Sequence, residues 1–91
     1  MNLKKYDVVL LNDDEHSYSY VCCMLNDVFG LTQDQALQKA KEVDSKGEVI
    51  LYTGYFEHAE YKASIIDAYG PDQSMPKSNG SMKVDIRETV S

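Results

Sequence analysis

An α+β domain with three strands and three helices in the order β-α-α-β-α-β is what the sequence predicts. Three observations point there. Apolar residues change between a period of two and a period of three to four along the chain. Each change falls at a turn or capping residue, and the 91 residues suffice for one small core.

Tyr6 to Leu11 is a β-rich run ended by the turn-forming Asn12-Asp13-Asp14. From Ser17 the period becomes helical: Tyr18, Val21, Cys22, Leu25, Val28 and Phe29 share a face, and Gly30 is placed to close the helix. Thr32 and Gln35 form a capping box for a second helix with Ala36, Leu37, Ala40 and Val43 as its apolar face, ending at Gly47. Glu48 to Tyr52 is a short strand. A third helix runs from about Phe56 to Tyr69, where Gly70-Pro71 stops it. Asp72 to Gly80 is turn-rich and expected to be a surface loop. Met82 to Arg87 alternates apolar and polar residues as a half-buried strand. Helices must cover one side of so small a sheet.

Composition narrows the function. A formal charge of -6 argues against a nucleic-acid backbone or an anionic membrane as the main partner, and suits a ligand carrying positive charge. The apolar stretch after Lys5 is broken by Asp7 and ends at Asn12, too short for a signal peptide or a membrane helix, so a cytoplasmic location is expected. Cys22 and Cys23 are adjacent, cannot pair in ordinary disulfide geometry, and are expected as one buried and one marginal thiol.

The acidic corner Asn12-Asp13-Asp14-Glu15-His16 carries more acceptors than one helix cap requires. A calcium loop fails there, since His16 is a poor hard-cation ligand and the loop's glycine and terminal glutamate are missing. A hydrolase with His16 as base lacks a phosphate loop, a nucleophile elbow and zinc-ligand spacing. His16 and His58 are expected on the surface. No enzyme, metal or cofactor is therefore expected. Clustered Asn and Asp side chains do suit an ammonium, which offers three donors.

Tyr6-Asp-Val-Val-Leu-Leu-Asn-Asp-Asp14, the helix ending Val28-Phe29-Gly30, and Glu57-His-Ala-Glu-Tyr-Lys62 together resemble the ClpS adaptor family. The similarity runs from about Tyr6 to Tyr69 and resumes in the last strand. It implies one domain over residues 1–91, with 1–5 as a short arm, an antiparallel sheet, and a monomer. It also implies binding of N-degrons, substrates with a bulky hydrophobic first residue, and their presentation to a ClpA- or ClpC-type unfoldase. The family holds the free α-amino group with an Asn, an Asp and a His, matching Asn12, Asp14 and, in place of the His, Asp44; Asp13 belongs to the same block. The side-chain pocket maps to Tyr18, Val21, Ala40, Val43 and Met82, and unfoldase contact to Glu57 and Lys62.

Three departures matter. Asp44 makes the site more anionic, so affinity should fall as acid protonates its carboxylates. Tyr18 is bulkier and Ala40 smaller than the usual residues, which leaves the preferred first residue open. The family's flexible arm, used for handover, would here be Met1 to Lys5; either more of it lies beyond this sequence or delivery is poor. The alternative reading is an unfoldase-docking regulator that does not recognise N-termini.

Overall fold

The computed structural model describes residues 4–13, 16–72, 80 and 82–90. Its elements are β1 (Lys5–Leu11), α1 (Tyr18–Phe29), α2 (Gln33–Lys46), β2 (Glu48–Tyr55), α3 (Phe56–Asp67) and β3 (Val84–Glu88), in the expected order. The sheet is antiparallel throughout, with strand order β2-β1-β3.

The helix ends follow the capping chemistry. Ser17 accepts from the Tyr20 amide at the start of α1. Thr32 and Gln35 bond reciprocally at the start of α2. Gly30 and Gly47 close the two helices at φ 67° and 84°, a conformation that side-chain-bearing residues resist.

Val8 and Leu10 point from β1 into one core with Val21, Met24 and Leu25 of α1, Ala36, Ala40 and Val43 of α2, and Ala59, Ala63 and Ile66 of α3. On the opposite face the Thr53 and Thr89 hydroxyls donate to Asp7 Oδ1 at 2.6 and 2.8 Å. Arg87 of β3 bridges Asp85 and Glu48, reaching across the central strand to β2.

Three boundaries differ from expectation. β2 runs on to Tyr55 instead of stopping at Tyr52, because Thr53 and Gly54 pair with Asp7 and Tyr6. Gly54 lies under the Tyr52 ring, where a Cβ would come within 2.6 Å of the phenol oxygen. α3 ends two residues early, with the Tyr69 amide turned back to the Ile66 carbonyl. β3 begins at Val84, so Met82 enters the core just ahead of the strand. Of the expected surface loop, residues 73–79 lie outside the described residues, and Asp72 at its start is buried instead.

Candidate functional site

The end of β1 is held on two sides. The Leu11 amide donates to the Lys83 carbonyl and the Asn12 amide to the Gly47 carbonyl, at 3.0 and 2.9 Å. The corner that follows β1 is thereby fixed between the C-cap of α2 and the segment leading into β3. Asn12 is exposed there, and Asp44 lies exposed in the last turn of α2, three residues before the cap.

The start of α1 reaches the same place. Tyr18 Oη donates to Asp44 Oδ2 at 2.7 Å, joining the two helices at one end of their seam. That carboxylate, accepting the phenol's hydrogen bond, raises the Tyr18 phenol above the ordinary tyrosine range. The Tyr18 side chain is nevertheless partly open to solvent. Val21, Ala40, Val43 and Met82 are at most 3% exposed and belong to one apolar cluster. Of the expected residues, Asn12, Tyr18 and Asp44 are thus exposed, and Val21, Ala40, Val43 and Met82 are buried in the core. Asp14 lies outside the described residues.

His16 corrects the sequence reading. Its side chain is 2% exposed, not on the surface, while His58 is exposed as expected. Asp13 Oδ1 and Oδ2 lie 2.7 and 2.9 Å from His16 Nδ1, and the Gly80 carbonyl lies 2.7 Å from Nε2. Asp13, of the same block as Asn12, thus turns both carboxylate oxygens to His16. Beside it the Tyr20 hydroxyl donates to the Gly70 carbonyl at 2.6 Å, and Asp72 accepts from the Ser17 amide at 2.7 Å. Burial, first, and the nearby charges of Asp72 and Asp13 raise the Tyr20 phenol, against an opposing hydrogen bond with the Met82 backbone. No local pattern announced this cluster, because its members meet from both sides of α3.

The α3 residues lie elsewhere. Glu57 is exposed in the first turn. Lys62 is half-buried: Nζ donates to the Val28 carbonyl at 3.4 Å and sits 5.3 Å from the centroid of the Phe29 ring. Lys62 therefore meets the C-terminal end of α1, about 18 Å along a 12-residue helix from the end where Tyr18 sits.

A groove of about 420 Å³ between α1 and the start of α2 is lined by Ser19, Cys22, Cys23, Asn26, Asp27 and Gln33. Cys22 is half-buried and Cys23 exposed, and burial pushes the Cys22 thiol up. No group of three or more potential metal ligands occurs among the described residues. No helix of the described residues is long and apolar enough to cross a membrane.

Residues 1–76 match the family model described as ATP-dependent Clp protease adaptor protein ClpS. This chain belongs to the ClpS family. The ClpS adapter of Nitratidesulfovibrio vulgaris is 37% identical over 75 residues, covering 80% of this chain and 70% of that protein. The ClpS adapter of Thermosynechococcus vestitus is 32% identical over 56 residues, 60% of each chain, so the match spans less than two thirds of that relative's length. The solved structure of Agrobacterium tumefaciens ClpS2 bound to L-phenylalaninamide superimposes with a TM-score of 0.82 over 97% of this chain and 100% of that one. At 23% identity this is a likeness of fold. It matches the three-stranded antiparallel sheet and three helices of the ClpS family described above.

Proposed function

We propose that this ClpS-family chain binds the free amino terminus of substrates with a bulky apolar first residue and presents them to a ClpA- or ClpC-type unfoldase, without catalysing a reaction. The observation that carries the reading is that exposed Asn12 and Asp44 both lie at the C-terminal end of α2, whose Ala40 and Val43 are buried in the apolar cluster with Val21 and Met82. Asn12 and Asp44 supply acceptors for an ammonium, and Val21, Ala40, Val43 and Met82 supply an apolar lining for the side chain next to it. Asp14 and Asp13 are the further acceptors of the same corner. The complex of the ClpS2 relative is with L-phenylalaninamide, a ligand of the same kind: an amine beside a benzyl group. Glu57 and Lys62 would meet the unfoldase at a distance from this site, so that both partners fit at once. The domain is proposed to act as a cytoplasmic monomer.

The test is fluorescence anisotropy of short peptides beginning with Phe, Tyr, Trp, Leu and Arg, each free and N-acetylated. Binding of an apolar N-terminus that acetylation abolishes is the expected result. Binding that ignores acetylation would refute the ammonium site. One observation favours the second reading, an unfoldase-docking regulator: Val21, Ala40, Val43 and Met82 are already almost wholly buried, and Asp44 already accepts from Tyr18. No peptide binding from a folded sample, with unfoldase binding retained, would establish that reading instead.

A further inference from the structure

One side of α3 enters the core and the other is uncovered. Ala59, Ala63 and Ile66 are buried, while Phe56, Glu57, Glu60, Tyr61 and Ser64 are exposed. At about 100° per residue those five positions lie within roughly 140° of the helix surface, so they share one face. A single apolar side chain at a surface is ordinary. Here the large ones are concentrated: Tyr55, Phe56 and Tyr61, at 49%, 45% and 64% exposure, fall between positions 55 and 61. Tyr61 is the most exposed aromatic side chain among the described residues.

The details of the face suit contact with another protein. The Phe56 ring stands edge-on to Tyr6 at 5.1 Å, so its direction is set before any partner arrives. The Ser64 hydroxyl donates to the Tyr61 carbonyl at 2.7 Å, which satisfies it within the helix. The charged side chains on this face, Glu57, Glu60 and, at the helix end, Asp67, are all negative. The cation beside Tyr61 points elsewhere: Lys62 sends its ammonium to the Val28 carbonyl and the Phe29 ring. Two aromatic anchors flanking carboxylates fit an apolar surface rimmed by Lys or Arg.

We propose that this face of α3 is where the Clp unfoldase docks, with Phe56 and Tyr61 as its apolar anchors and Glu57 and Glu60 aligning a basic rim on the partner. The inference rests on the unfoldase reading above and deepens it. Membership of a family of Clp protease adaptors supplies the partner, and continuity supplies the place, since Glu57 lies between the two aromatics. The weight within the interface changes, however. Lys62 already has its contacts inside the chain, so its loss costs docking less than the loss of Tyr61.

Titration of the full chain against a ClpA-type and a ClpC-type unfoldase, by biolayer interferometry, tests this. The variants are Tyr61→Ala, Tyr61→Phe, Glu60→Lys and Lys62→Ala, each first shown to be folded by circular dichroism. Tyr61 is exposed, so its truncation leaves the core intact. Tyr61→Ala should bind at least about tenfold more weakly and Tyr61→Phe within about threefold of wild type. Lys62→Ala should lose less than Tyr61→Ala. Glu60→Lys should weaken binding, and wild-type affinity should fall as salt rises from about 0.1 to about 0.5 M. Peptide affinity by anisotropy should be the same in Tyr61→Ala as in wild type.

Tyr61→Ala binding within about twofold of wild type overturns the proposal, and so does a larger loss in Lys62→Ala. Glu60→Lys binding as tightly as wild type overturns the basic rim. Self-association of the chain in sedimentation that Tyr61→Ala abolishes, with unfoldase binding intact, assigns the face to a second copy instead. A wild type that binds neither unfoldase sinks the unfoldase reading and this inference together, whereas unchanged binding by Tyr61→Ala removes the inference alone.

Discussion

Single side chains would decide how the proposed site behaves. Tyr18 and Asp44 satisfy each other in the free chain, so in the proposed site an incoming ammonium would have to take over a carboxylate that already accepts a phenol. Tyr18→Phe keeps the ring and removes that competitor. Peptide affinity should rise several-fold by anisotropy, and a fall would mean that the hydroxyl itself serves the ligand. Asp44→His, which restores the residue implied by the family resemblance, should preserve or improve binding; abolition would make Asp44 a specific replacement. Tyr69 gives a separate, stability-linked test. Its hydrogen bond to Asp27 pushes the phenol up to about 12 from an ordinary 10.0. The folded state thus keeps this proton to higher pH than the unfolded state. The resulting stabilisation is complete below pH 10.0 and is lost as the pH rises through about 12. Tyr69→Phe should lower stability by up to about 1 kcal/mol at neutral pH and flatten this alkaline loss, as read from urea midpoints. At this scale the sequence was only partly legible. The apolar positions Val21, Ala40, Val43 and Met82 followed from the family pattern, and all are found in one cluster. His16 did not, because its neighbours in sequence are polar and its fixing partner, Gly80, stands 64 residues away.

Caps and turns carry the element scale, and here the reading from sequence succeeded wherever the chemistry is local. The capping box at Thr32 and the left-handed glycines at 30 and 47 depend on adjacent residues, and all appear as expected. The apolar run around Val49, Ile50 and Leu51 marks a strand only to Tyr52; the register with β1 shows that it continues to Tyr55. The third strand was begun early because Met82 extends its alternation, although its burial comes from the core junction and not from pairing. Gly47 links the helix to the site, for its φ of 84° closes α2 and its carbonyl receives the Asn12 amide. Gly47→Ala should cost about 1 kcal/mol of stability and also weaken peptide binding. Loss of stability with affinity intact would show that the corner does not depend on this cap. Gly54→Ala should destabilise by about 1–3 kcal/mol, since the new methyl group must displace the Tyr52 ring, and should leave the proposed site untouched.

Over the whole molecule the two proposed functional regions lie at opposite ends of α1. Its first residue reaches Asp44, and the carbonyl and ring at its far end receive Lys62. Glu57→Ala combined with Lys62→Ala should therefore weaken unfoldase binding and leave peptide affinity unchanged, measured by pull-down and anisotropy on the same sample. A parallel loss of both would mean that Lys62 acts through α1. The sheet order has a consequence of another kind. β1 is the central strand, yet one of its two neighbours, β3, comes last in chain order. During synthesis at about 5–20 residues per second, one edge of β1 waits roughly 4–15 seconds for its partner. For about the last 2–7 seconds of that interval, once β2 has been made, Val8 and Leu10 can have β2 beside them but present an open row of amides and carbonyls on the other side. The nascent chain is thus most exposed to mispairing after its helices are complete, and the last strand to emerge is what ends that exposure.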